Sequence, residues 1–181
     1  MTSLGEASAQ SRPGLVITAV GPDRPGLIFD LSTRITAHGG NIEDTKMSKL
    51  GGAFALLVLV TGAESVLSEL FALRSQLEQS LGVTCSMMPT HAEPIEREQL
   101  WRFSASGFDR PGIVSTVSDL LAKRQVNVVS FLSRIENAPL SGTPLFILEA
   151  ECALPQGTAI SDLEQALRAA CEQEGLELAS N

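Results

Sequence analysis

Along the chain, short apolar runs alternate with stretches whose apolar residues recur at helical spacing, and the two patterns follow the same order in each half. LVITAV (15 to 20) and LWRFSAS (100 to 106) read as strands. Beyond them, Leu27, Ile28, Leu31 and Ile35, and later Ile113, Val114, Val117 and Leu121, fall at i, i+1, i+4 and i+8, which predicts an apolar stripe on one helix face. NIEDTKMSKL (41 to 50), the Gly51-Gly52 turn and AFALLVLV (53 to 60) predict a hairpin whose second, continuously apolar strand is buried on both faces. VNVVSFLSRI (126 to 135) and LFILEAEC (145 to 152) repeat the hairpin around a longer loop, NAPLSGTP. A second helix follows in each half, carrying Val66, Leu70, Leu73 and Leu77 in one and Ile160, Leu163, Leu167 and Ala170 in the other. Short strands VTCSMM (83 to 88) and LELA (176 to 179) close the halves. The order βαββαβ, written twice, predicts an α+β fold of two ferredoxin-like domains, each an antiparallel sheet with helices on one face.

The halves share more than pattern. At an offset of 86 residues, Ala19, Gly21, Asp23, Arg24, Pro25, Gly26, Ser32 and Asn41 match Ala105, Gly107, Asp109, Arg110, Pro111, Gly112, Ser118 and Asn127. This is an internal duplication. It divides the chain into a tail (1 to 12), a first domain (13 to 90), a linker (91 to 98) rich in charge and proline, and a second domain (99 to 181). Gly39-Gly40 supplies a stop for the first helix of the first copy. The second copy has Gln125-Val126 there and must stop differently.

Composition narrows the function. Apolar residues make up 44% of the 181 and charged residues 19%, the profile of a globular protein. The net charge is −8 and no segment is basic, which argues against direct nucleic-acid binding and against an anionic membrane surface. The N-terminus has neither a basic nor an apolar leader region, and the longest apolar run is far too short to span a bilayer, so a cytoplasmic protein is expected. Cys85, Cys152 and Cys171 are widely spaced and read as small buried hydrophobes. Two histidines and three scattered cysteines give no metal-ligand spacing and no nucleophile with its base, so neither a metal nor a cofactor is expected and the chain reads as non-enzymatic. His38 reads as a partner for the C-terminal end of the first helix. Acyl-phosphate hydrolysis on this fold, through Arg24 and Asn41, is the remaining enzymatic option.

The duplicated Gly-x-Asp-Arg-Pro-Gly turn carries the chemistry. One reading is structural: Asp23 and Asp109 cap a helix whose first turn holds Pro25 and Pro111. The other is a ligand site: free amides at the helix start attract a carboxylate, Gly26 and Gly112 allow close approach, and the aspartates hold an ammonium group. Asn41 and Asn127 follow their aspartates by 18 residues, at the far end of a helix about 18 Å long, so they cannot share a ligand with them inside one copy. Antiparallel packing of the copies would bring Asp23 to Asn127 and Asp109 to Asn41, giving paired sites. The structural alternative for the asparagines is a left-handed turn.

Strand, D-R-P-G turn, helix, Asn, hairpin, helix and strand, in LVITAVGPDRPG and NIEDTKMSKLGGAFALLVLV above all, resemble the ACT domain, an amino-acid-binding regulatory module. Two such domains without an attached enzyme resemble the glycine cleavage system transcriptional repressor group. By position, the resemblance implies a ligand site at Gly21, Asp23, Arg24, Pro25, Gly26, Leu27 and Asn41, and at Gly107, Asp109, Arg110, Pro111, Gly112, Ile113 and Asn127. It further implies a small amino acid as ligand, glycine among the candidates, a protein partner such as a DNA-binding activator, and a homodimer. A free-standing regulatory subunit of an amino-acid metabolic enzyme is the alternative it leaves open.

Overall fold

The computed structural model describes residues 11–92, 100–138 and 141–180. Most of the expected tail and linker, and the tip of the long loop, lie outside the described residues. The chain separates into two compact units, Met1–Glu96 and Arg97–Asn181.

Unit 1 runs β1 (Arg12–Pro22), α1 (Leu27–Ala37), β2 (Asn41–Leu50), β3 (Ala53–Thr61), α2 (Glu64–Ala72), α3 (Arg74–Leu81) and β4 (Thr84–Ala92). Unit 2 runs β5 (Leu100–Phe108), α4 (Ile113–Lys123), β6 (Asn127–Asn137), β7 (Pro144–Ala153), α5 (Ile160–Gln173) and β8 (Leu176–Ser180). Each has one antiparallel sheet, in the order β2-β3-β1-β4 or β6-β7-β5-β8, so both copies are ferredoxin-like α+β folds. Even the irregularity is duplicated: β2 is bulged between Ile42 and Asp44, and β6 between Val128 and Ser130, at the same offset.

Alternation decides which face of each sheet is dry. Leu15, Ile17 and Ala19 of β1 are buried with Leu27, Leu31 and Ile35 of α1, and Phe54, Leu56, Val58 and Val60 of β3 complete that core with α2 and α3. Trp101, Phe103 and Ala105 play the same part in unit 2 with Ile113, Val117 and Leu121, the Trp101 and Phe103 rings 5.1 Å apart. Ile28 and Val114, expected on the apolar stripe, face outward, so each first helix buries a narrower seam than its sequence suggests. The expectation of a β3 buried on both faces also fails. Leu57 is 42% exposed, because helices cover one side of the sheet and the apolar run continues regardless.

The single second helix expected in unit 1 is two. The Leu73 N–H is shared between the Glu69 and Leu70 carbonyls, as at a helix end, and the Leu73 carbonyl then starts α3 with Gln76 and Leu77. The first helices of the two copies stop alike despite different residues. Gly40 N–H bonds the Ile35 carbonyl after left-handed Gly39, and Val126 N–H bonds the Leu121 carbonyl after Gln125, which holds φ 55° without being glycine. At the first of these ends the His38 ring donates to the Arg34 carbonyl at 2.8 Å, answering the expected partnership with the helix terminus.

Candidate functional site

Glycine sets the backbone of each D-R-P-G turn. Gly26 (φ 87°) and Gly112 (φ 103°) occupy the left-handed region just before the helices, a conformation that a Cβ makes costly. The structure corrects the capping expectation: α1 begins at Leu27 and α4 at Ile113, and neither helix has a side-chain cap. The left-handed glycine turns the chain, so the aspartate and proline lie outside the helix. The first backbone bonds run from Asp30 N–H to the Gly26 carbonyl (2.8 Å) and from Thr116 N–H to the Gly112 carbonyl (2.9 Å). The amides of the first turn therefore stand without a side-chain partner at the positive end of the helix dipole. Leu27 and Ile113 send their side chains into the core, which leaves mainly their backbone to a ligand.

Gly21 and Gly107 answer to another constraint. A Cβ on Gly21 would meet Val83 Cγ1 at 2.9 Å and the Gly82 carbonyl at 3.0 Å, and one on Gly107 would collide with the Gly175 carbonyl. Close approach of the last strand of each unit accounts for these two glycines without any ligand.

The surroundings of the two turns differ. In unit 1, Lys49 of β2 donates to Asp23 at 2.7 Å, and Arg24 donates to Asp30 at 2.8 Å and to the Pro25 carbonyl at 3.3 Å. In unit 2 the register puts exposed Ile135 where Lys49 stands, since both lie opposite the phenylalanine that pairs with the turn's glycine. Thr116 replaces Asp30 and donates instead to Glu174 at 2.8 Å. Asp109 makes no ion pair among the described residues, and the Arg110 guanidinium lies against the Gly175 backbone. The first turn also borders a hollow of about 300 Å³ whose walls include Asp23, Arg24, Phe29, Met47 and Phe54. Larger hollows lie elsewhere, where no sequence signal pointed: about 400 Å³ beside α2, with Glu64, Phe71 and His91, and about 320 Å³ on the open face of the unit 2 sheet, with Arg102, Ser130 and Glu151.

The asparagines stand at the other end of each sheet. Asn41 lies opposite Thr61, which also pairs with Gly14, whereas Asp23 follows Pro22 at the far end of β1. Asn127 lies opposite Ala153, which pairs with Leu100, and Asp109 follows Phe108. Eight or so residue steps of about 3.4 Å separate the Asn and Asp levels, roughly 27 Å. Neither unit brings its own Asp and Asn together, nor Arg24 to Asn41 for acyl-phosphate chemistry. Neither asparagine has a positive φ, so the left-handed turn reading does not apply to them.

All three cysteines are buried and unbridged. Burial raises each thiol pKa, and with a smaller push from the Glu151 carboxylate it carries Cys152 to about 11. No helix is long and apolar enough to cross a membrane among the described residues.

Comparison with known proteins agrees with this architecture. ACT domain models match residues 14–88 and 103–168, one in each unit. The glycine cleavage system transcriptional repressor of Escherichia coli is 24% identical over 161 residues, which are 88% of this chain and 84% of that protein. Among solved structures, a protein of unknown function from Galdieria sulphuraria superimposes with a TM-score of 0.75 at 26% identity, covering 95% of this chain and 98% of its own. A putative glycine cleavage system transcriptional repressor has the same fold, with a TM-score of 0.71 at 24% identity over 93% of this chain and 96% of its own. Two matched domains, one fold written twice and a relative aligned across both copies place the chain in the ACT-domain family, as a tandem ACT protein of the glycine cleavage system transcriptional repressor group.

Proposed function

We propose that this protein is an amino-acid-responsive transcriptional repressor that controls glycine cleavage through a DNA-binding protein partner. The observation that carries the reading is the pair of left-handed glycine turns, each presenting uncapped helix amides beside an aspartate. Such a turn suits an amino acid, whose carboxylate meets the amides and whose ammonium meets the aspartate. The name of the Escherichia coli relative supports control of glycine cleavage. The lack of basic character supports action through a protein rather than on DNA directly. Occupancy alters the partner only if the ligand binds two arrangements of the protein unequally.

Calorimetry with glycine, serine and the branched amino acids is the test. Asp109, with no ion pair among the described residues, is the better ammonium acceptor, so Asp109→Ala weakens binding by about tenfold or more, as expected for a lost charge-assisted hydrogen bond. Asp23→Ala has the smaller effect, because that carboxylate is already held by Lys49. Absence of heat with every amino acid sinks the sensor reading. Pull-down from cell extract with and without glycine separates the two partner classes: a DNA-binding activator supports the repressor, a biosynthetic enzyme the regulatory subunit.

A further inference from the structure

On the two central strands of its open face the unit 1 sheet carries Val16, Leu57 and Leu59 where that of unit 2 carries Arg102, Glu149 and Glu151. Two adjacent rows cross it, one ending Val16, Leu59, Asp44 and the next Thr18, Leu57, Lys46, with a groove of about 220 Å³ along them. Asp44 and Lys46 form no ion pair with any other side chain among the described residues; Asp44 accepts only from the neighbouring Thr45 amide. On unit 2 the corresponding face is occupied by ion pairs, Arg102 with Glu151 and Arg134 with Glu149.

We propose that the open face of unit 1 is where a second copy of this chain docks, sheet on sheet, about a twofold axis that crosses the strands between those two rows. That axis reverses the strand direction while keeping each strand over its own counterpart. Asp44 of one copy then faces Lys46 of the other, Lys46 faces Asp44, and Leu57 faces Leu59. The pattern is self-complementary, as an isologous interface requires. Two twisted sheets stacked about 10 Å apart leave room for the two ion pairs at the edge, which set the register while the leucines supply the apolar contact. Four strands about 4.8 Å apart and about eight residue steps long give roughly 500 Å² per copy, or about 1,000 Å² in all, near the lower bound for a specific interface. A reversible, concentration-dependent dimer follows.

Sedimentation velocity across the micromolar range on the full chain tests this, with thermal melts showing that each variant is folded. Leu57→Glu, at a position already 42% exposed, raises the concentration needed for dimerisation by about tenfold or more. Lys46→Asp and Asp44→Lys each weaken the dimer by setting like charges against each other, and the double variant Asp44→Lys/Lys46→Asp restores it. A chain monomeric throughout, a dimer indifferent to Leu57→Glu, or a double variant no better than either single one overturns the proposal.

Discussion

The two units are one fold with two surfaces. Their first helices bury matching positions: Leu27, Leu31 and Ile35 in one, Ile113, Val117 and Leu121 in the other. Their exposed positions have parted. Lys49 answers to Ile135, Asp30 to Thr116, and exposed Phe29 and Met47 to Ser115 and Ser133. Buried positions have kept their apolar character because each one touches many others, and loss of a methylene is felt by all of them. Exposed positions are free of that restraint, and they now give one turn an ion-paired aspartate and the other an aspartate without one. A duplicated fold therefore does not imply duplicated sites.

Substitutions at matched positions break or sharpen the comparison. The largest effect is expected at the tight approach behind the turn. Gly107→Ala drives its methyl onto the backbone oxygen of Gly175 and costs about 3 kcal/mol, whereas Gly21→Ala meets the side chain of Val83 first and costs about 1–2 kcal/mol. Urea titration of the two variants measures both, and equal losses would mean that the two joints are packed alike.

Next comes alkaline pH. The Cys152 thiol ionises near the ordinary 9.0 when unfolded and at about 11 when folded, so the unfolded chain loses its proton first. Its contribution is complete below pH 9 and is lost as pH rises through about 11. The valine variant Cys152→Val removes that part of the decline, seen as flatter urea midpoints between those pH values.

The smallest effect is a gain. Gln125 carries a side chain in the left-handed conformation that Gly39 adopts freely, so Gln125→Gly stabilises the protein by up to about 1 kcal/mol. Gly39→Gln in unit 1 costs a similar amount. A Gln125→Gly variant with a lowered melting temperature would show that the glutamine side chain matters more than the backbone strain.

Much of this was legible in the chain. The apolar run of β1 and the i, i+1, i+4, i+8 spacing of α1 predicted those elements, although Ile28 at i+1 faces outward, and the offset of 86 residues predicted that the second unit would copy the first. Misreadings arose where a local pattern met a distant neighbour. AFALLVLV looks doubly buried because an apolar run does not say how many layers cover it. Asp23 looks like a cap because Asp two residues before a Pro at a helix start can serve as one, yet left-handed Gly26 starts the helix only at Leu27 and leaves the carboxylate outside it, where Lys49, 26 residues on, pairs with it. Gln125-Val126 gave no sign of a helix stop, because glutamine seldom takes a left-handed backbone unless surrounding packing holds it there.

By itself, then, the sequence determined most of the elements, their order, their repetition and the main apolar seams of the two cores, all of which follow from backbone periodicity and the burial it demands within each segment. The tertiary structure alone decided which face of each sheet stays open, which aspartate is paired, and that Asp and Asn of one unit stand at opposite ends of a sheet. Those depend on register between strands far apart in the chain, and register is set by packing rather than by any one segment.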